Sequence, residues 1–139
     1  AVLVTGFGRI GKSLSAKLHA LGAHVTITTR DPKNFPAIEQ LSCTPDETGR
    51  YREGLSQYDA IFNTVPAPIF SVEQLKPLRP ECFYIELASS PGGISPDAPK
   101  PAHYIPAPGL PGRTAPKTAA QFIFRPMCDS PYLSQPEVL

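Results

Sequence analysis

The residues best suited to chemistry lie at the start of the chain, in the run AVLVTGFGRIGKS. Two phosphate-binding spacings overlap there. Gly6, Gly8 and Gly11 make G-x-G-x-x-G, the pattern of a dinucleotide-binding turn. Gly6, Gly11, Lys12 and Ser13 make G-x-x-x-x-G-K-[ST], the pattern of a triphosphate-binding loop. Both present backbone N–H groups at a helix N-terminus, where the peptide dipoles favour an anion. They differ in where the glycines fall. A loop that wraps a triphosphate keeps its extra glycines late, just before the lysine. Here the middle glycine comes early, which suits a tight strand-to-helix turn. Gly6 makes the turn, Gly8 lets the backbone approach a pyrophosphate, and Gly11 lets the helix pack on the strand. The amides of Gly8, Arg9 and Ile10 then face the anion. A triphosphate site also needs an Asp at the end of a buried strand to hold magnesium. The fourth apolar run ends in Asn63 instead, and Glu86 in the fifth is what keeps that reading open. The dinucleotide is favoured, with Lys12 and Ser13 as solvated residues of the first helical turn.

The end of the second apolar run chooses among dinucleotides. A carboxylate about 20 residues beyond the glycines accepts the ribose hydroxyls of NAD. This chain reads Thr28-Thr29-Arg30-Asp31-Pro32-Lys33 there. A guanidinium at Arg30 can grip a 2′-phosphate bidentately, where a carboxylate would repel it. Thr29 adds a hydroxyl and Lys33 a second positive charge. The expectation is NADP(H) over NAD(H). Asp31 becomes the ribose acceptor if the strand runs one residue further.

Ligands of an open parallel sheet bind outside the carboxyl ends of its strands. Three more loops emerge on that side: Asn63-Thr64-Val65-Pro66, Ala88-Ser89-Ser90-Pro91-Gly92-Gly93 and Ala107-Pro108-Gly109-Leu110-Pro111-Gly112. Each is rich in Pro, Gly and small polar residues. Any one of them reads as ordinary turn chemistry; together they point to cofactor contact. No proton-transfer group stands out. His19, His24 and His103 fall at positions expected to be exposed or structural. Glu86 is expected to be a buried, hydrogen-bonded carboxylate, and Lys117 is the remaining charged candidate. The catalytic residues stay unassigned, and no metal site is expected.

The elements that must position these groups follow from hydrophobic period and turn chemistry. Strands are expected at Ala1–Thr5, His24–Thr29, Leu41–Thr44, Asp59–Asn63, Cys82–Ala88 and His103–Ile105. A helix is expected over Arg9–Leu21, with an apolar stripe of Ile10, Leu14, Leu18 and Leu21 and Gly22 as its cap. Weaker helical segments fall at Pro32–Gln40, Tyr51–Gln57, Ser71–Leu75 and Pro116–Phe124. Strands joined by helical crossovers imply an α/β fold, a doubly wound parallel sheet of about six strands. The nucleotide-binding domain is placed at residues 1–124, with an irregular tail over 125–139.

Bulk properties narrow the class. The chain has 139 residues, 41% hydrophobic and 18% charged, with a net charge of +1. That is one domain with one core, and no charge excess for nucleic acid. No apolar run reaches the roughly 18–20 residues of a membrane span. Cys43, Cys82 and Cys128 are scattered and outside any C-x-x-C pair, which fits a reducing cytoplasm. The 18 prolines, most of them after position 65, predict a second half of short elements and rigid loops. A start inside a strand, without Met, predicts a piece of a longer protein.

Three segments in order resemble a known family: VLVTGFGRIGKSLSAKLHALGAHV, then NTVP, then ELASSPGG followed by APGLPGRTAPKTAAQ. They are similar to the C-terminal nucleotide-binding domain found in the A subunit of dipicolinate synthase, over about residues 1–124. The resemblance implies a Rossmann domain that binds NAD(P). It implies an oxidoreductase acting on a small molecule, a dihydrodipicolinate-type precursor of the dipicolinate found in bacterial spores. It also implies a flavoprotein-like partner protein and an N-terminal substrate domain missing from this sequence; self-association is expected besides. By the same resemblance the cofactor falls on Gly6, Gly8, Arg9, Ile10, Arg30, Thr64, Val65 and Pro66. The nicotinamide falls near Ala88, Ser89 and the Gly109–Gly112 loop. The family carries Asp where Glu86 stands and Arg where Ser90 stands. Other readings stay open: a D-2-hydroxyacid-dehydrogenase-like or adenosylhomocysteinase-like enzyme, or a non-catalytic NADP-sensing module.

Overall fold

The computed structural model describes residues 1–109, and the chain divides into compact units at Ala1–Pro108 and Gly109–Leu139. The expected closing helix, the tail, Leu110 and Lys117 lie outside the described residues, as does the expected boundary at residue 124.

Six strands form one sheet: β1 (Val2–Thr5), β2 (Val25–Thr29), β3 (Thr44–Glu47), β4 (Ala60–Asn63), β5 (Phe83–Glu86) and β6 (His103–Pro106). Their order is β3-β2-β1-β4-β5-β6 and every pairing is parallel. The order reverses between β1 and β4, so all strand ends that face this switch point the same way. This is the doubly wound Rossmann arrangement. Helix α1 (Arg9–Ala20) follows β1; a 3-10 turn (Pro32–Asn34) and α2 (Phe35–Glu39) follow β2; α3 (Val72–Leu75) precedes β5. None of the helices in the described residues is long and apolar enough to cross a membrane.

Alternation along β1 shows why the sheet needs cover on both faces. Leu3 belongs to a cluster with Tyr51, Leu55, Tyr58, Ile61, Phe70 and Tyr84. Its neighbour Val4 belongs to the opposite cluster with Val25, Ile27, Ile38 and Cys43, against which Leu14 and Leu18 pack. Period-two side chains buried on both sides are what a parallel sheet demands.

Several elements depart from expectation. The third strand begins at Thr44 rather than Leu41. The preceding residues turn instead: Ser42 takes φ +56, and the Ser42 and Cys43 amides donate back to Glu39 and Ile38. Residues 51–57 are turns, not a helix. Tyr51 at φ +43 and Gly54 at φ +72 break any helical run, yet Tyr51, Leu55 and Tyr58 still reach the core. On α1, Ile10 is 52% and Leu21 84% exposed, while Gly11 and Ser15 are buried.

Candidate dinucleotide-binding site

The glycine turn is built as its spacing predicts. Gly6 follows β1 with φ +90, and its amide donates to the Thr28 carbonyl at 3.0 Å. A Cβ there would stand 2.7 Å from Thr64 Oγ1 and 2.9 Å from Val65 Cγ2. Gly11 lies one helical turn on. A Cβ at Gly11 would collide with the Gly6 carbonyl oxygen, so only glycine lets α1 sit this close to β1. Gly8 differs: φ is −82 and a Cβ would meet nothing within 4 Å. Space is left above Gly8 that the described residues do not fill.

Gly8 is the N-cap of α1, without a side-chain cap, and the first turn holds no acidic residue. The positive end of a twelve-residue helix is therefore neither capped by a side chain nor offset by an acidic residue in its first turn. Lys12 and Ser13 are exposed, and the Lys12 ammonium rests 4.5 Å from the Phe7 ring centre. This fits solvated residues better than a phosphate-gripping lysine.

A cleft of about 380 Å³ opens at this turn, lined by Gly6, Phe7, Gly8, Thr29, Arg30, Asp31, Asn34, Thr48, Thr64, Val65 and Pro66. Of the residues singled out from sequence, it brings together Gly6, Gly8, Thr29, Arg30, Asp31, Thr64, Val65 and Pro66. Arg9 and Ile10 are exposed in the first turn of α1 beside it, Gly11 is buried beneath it, and Lys33 is exposed on the 3-10 turn. Ala88 is buried and Ser89 exposed after β5, outside this lining; Gly109 ends the described residues.

The β2 end is locally organised. Thr29 Oγ1 accepts from the Asp31 amide at 3.2 Å and from Asn34 Nδ2 at 3.1 Å. Asp31 Oδ1 accepts from the Lys33 amide at 3.0 Å and so caps the 3-10 turn. The strand ends at Thr29, leaving Arg30 as the first residue beyond it, exposed on the cleft rim. None of the ion pairs among the described residues engages Arg30. Asn34 and Thr48 were not singled out from sequence. Asn34 falls in the expected Pro32–Gln40 helical segment, which is a 3-10 turn at Pro32–Asn34 followed by α2; Thr48 follows β3 and had no local signal.

Between β1, β4 and β5 lies a buried polar network. Thr5, Asn63 and Glu86 are paired across adjacent strands at their carboxyl ends. Thr5 Oγ1 donates to Asn63 Oδ1 at 2.5 Å, which also accepts from the Val65 amide at 3.1 Å. Asn63 Nδ2 donates to the Val65 carbonyl at 2.9 Å and to Glu86 Oε1 at 2.6 Å. Glu86 also accepts from the amides of Ala88 at 3.3 Å and Gly93 at 2.9 Å, and from the Tyr84 hydroxyl at 3.4 Å. Burial, aided by the Glu86 charge, pushes the Tyr84 phenol far above its usual range and keeps it a donor. Glu86 is thus the buried, hydrogen-bonded carboxylate expected. The role of Asn63 was not foreseen: an Asn after an apolar run carries no sign of its partners in sequence. His19, His24 and His103 are exposed. Among the described residues, no group of His, Cys, Asp and Glu is arranged to hold a metal.

No family model matches the chain. The A subunit of dipicolinate synthase from Bacillus subtilis (strain 168) is 35% identical over 124 residues, 88% of this chain and 42% of that protein. The crystal structure of the same Bacillus subtilis protein matches with a TM-score of 0.80 at 34% identity, over 91% of this chain and 43% of that one. The corresponding protein from Bacillus halodurans matches with a TM-score of 0.83 at 33% identity, over 97% of this chain and 46% of that one. Below 25% identity the likeness is one of fold alone. An example is CAD from Helicobacter pylori, solved complexed with NADP(H), at 21% identity and TM-score 0.53 over 68% of this chain and 26% of its own. This chain spans less than half the length of the dipicolinate synthase proteins it matches. Over the residues they share, the chain is a homologue of the A subunit of dipicolinate synthase and carries its Rossmann-type domain.

Proposed function

We propose that this domain binds NADP(H), with its diphosphate at the Gly6–Gly8 turn and its 2′-phosphate at Arg30. In the longer protein it serves an oxidoreductase that converts a dihydrodipicolinate-type precursor to dipicolinate. The observation that carries the reading is the shared cleft. An uncapped helix N-terminus, an open space over Gly8 and an exposed guanidinium just beyond β2 meet at one cavity. Two positive features on one cavity suit the diphosphate and the 2′-phosphate of the cofactor.

A bound nicotinamide supplies a hydride acceptor or donor. The residues of this chain hold and orient it. The α1 amides take the diphosphate, Thr64, Val65 and Pro66 wall the cleft beyond it, and Arg30 selects the phosphorylated ribose. One oxygen of Asp31, the rival ribose acceptor, is engaged as the cap of the 3-10 turn. The acid or base and the substrate pocket are assigned to the rest of the longer protein. The resemblance adds a flavoprotein-like partner protein to the proposal; the scattered cysteines add a reducing, cytoplasmic setting, and self-association is proposed with them.

Calorimetric titration with NADPH, NADH and ATP–magnesium tests it. NADPH binds tightest. Arg30→Ala weakens NADPH by about 10–100-fold, the worth of a charge-assisted phosphate contact of about 1.5–3 kcal/mol, and leaves NADH within about twofold. Tighter NADH binding overturns the phosphate assignment; binding of ATP–magnesium alone overturns the dinucleotide reading.

A further inference from the structure

Glu86 is 5% exposed, and none of the ion pairs among the described residues includes it. A buried carboxylate without a cation is costly unless donors saturate it. Here four donors do: Asn63 Nδ2 and the Ala88 amide on Oε1, the Gly93 amide and the Tyr84 hydroxyl on Oε2. The neighbouring backbone is shaped around them. Gly92, at φ +83, would place a Cβ 2.9 Å from Glu86 Oε2, and a Cβ on Gly93 would run into the Asn63 amide.

A carboxylate only accepts, so it dictates which way the Asn63 amide points. With Nδ2 turned to Glu86, Oδ1 must face Thr5 and the Val65 amide. The Val65 backbone is then gripped at both its N–H and its C=O by one side chain. Val65 lines the proposed cofactor cleft. The other end of the network holds Gly93, whose carbonyl in turn accepts from the Ile69 and Phe70 amides.

We propose that Glu86 is a positioning residue for the cofactor cleft: acting through Asn63, it sets the backbone of Val65 and locks it to the Ser89–Gly93 loop. This rests on the NADP(H) reading above. Sheet order gives the direction of the effect. Arg30 follows β2, the glycine turn follows β1 and Val65 follows β4, and β1 lies between β2 and β4. A ligand with its 2′-phosphate at Arg30 and its diphosphate at the turn must extend its remaining half toward Val65. Glu86 therefore acts on the nicotinamide half and not on the adenosine half.

The test compares NADPH with 2′,5′-ADP, which lacks the nicotinamide half, by calorimetry on the whole chain. Glu86→Gln turns one of the carboxylate's acceptor oxygens into a donor facing N–H or O–H groups. NADPH weakens about tenfold, the worth of one misplaced hydrogen-bonded contact, and 2′,5′-ADP stays within about twofold. Equal weakening of both ligands, or of neither, overturns the positioning role while leaving the cofactor reading standing. Failure of the unaltered chain to bind either ligand overturns both. If Glu86→Gln does not fold, the isosteric Thr5→Val loosens the same Asn63 amide from its other side. The same selective loss, smaller in size, is then required, and an unselective one refutes the proposal.

Discussion

Gly8 and Gly11 are three residues apart and meet opposite surroundings. Gly11 is enclosed by backbone, whereas a Cβ on Gly8 would meet nothing within 4 Å. Substitution separates the two roles. Gly11→Ala drives a methyl into the Gly6 carbonyl, which as backbone cannot swing aside; the cost is about 3 kcal/mol, at the upper end of overpacking. Gly6→Ala adds a positive φ of +90 to clashes with Thr64 and Val65, and costs at least about 1–2 kcal/mol. Gly8→Ala costs below about 1 kcal/mol, the difference between the two residues at an N-cap. Urea unfolding measures all three. Calorimetry with NADPH then shows the converse order for Gly8: a stable protein whose affinity falls at least about tenfold, because the methyl occupies the space the diphosphate needs. An unchanged NADPH affinity in Gly8→Ala would place the ligand elsewhere. Residue spacing alone foretold the turn at Gly6 and the close packing at Gly11, since each follows from the turn that the pattern requires.

At the scale of the element, α1 shows where reading by hydrophobicity goes astray. The expected stripe was Ile10, Leu14, Leu18 and Leu21; the observed inward face is Gly11, Leu14, Ser15 and Leu18. At about 100° per residue the two stripes share Leu14 and Leu18 and differ by a rotation about the axis. Small residues face the sheet because the helix must come close enough to bring its N-terminus to the turn. Hydrophobicity weighs a Gly and a Ser as outward residues, so the rotation was invisible. The same cause hid β3, an edge strand reading Thr-Pro-Asp-Glu, which pairing with β2 creates without apolar help. By contrast β1, β2, β4 and β5 were legible from their short β-branched and apolar runs. Ser71, the first residue of the expected Ser71–Leu75 segment, forms a full capping box with Gln74. Ser15 carries a consequence of its own. Its hydroxyl is buried with no hydrogen-bond partner among the described residues. Ser15→Ala removes an unsatisfied group and gains helix propensity, so thermal or urea unfolding should show it more stable by about 1 kcal/mol. A loss of stability would mean that the hydroxyl has a partner, such as a bound water.

Over the whole molecule, two cores on opposite faces of one sheet differ in chemistry, and that difference sets a pH limit. The face of Val4 and Ile27 is mostly aliphatic, with Phe7 and Phe62 at its margin and, among the described residues, no tyrosine. The other is aromatic: Tyr51 stacks on Phe70 at 5.0 Å, Phe70 meets Tyr84 edge-on at 5.6 Å, and Tyr84 stacks on Tyr104 at 5.7 Å. Burial raises the phenols of Tyr51, Tyr58, Tyr84 and Tyr104 above the ordinary value of 10.0, and at Tyr84 the Glu86 carboxylate raises it further. A phenol is neutral when protonated, so a raised folded value means that folding favours the neutral form. The unfolded chain gives up these protons first as pH rises. The stabilisation they represent is therefore complete below about pH 10 and drains away as pH climbs from there toward the folded values. The protein should hold its melting temperature through neutral and mildly alkaline pH and then lose it steeply. Tyrosine absorbance and circular dichroism, followed together from about pH 8 to about pH 12, should show the buried phenols ionising in one step that coincides with unfolding. Tyr84→Phe takes away one of the groups with the greatest upward displacement and, at 3.4 Å, the longest of the four donors to Glu86. Its unfolding should move to higher pH while its neutral-pH stability changes little. Phenols that all titrate smoothly near the ordinary value of 10.0, with the dichroism intact, would show that the aromatic core admits water and that the network beneath the cleft is not sealed.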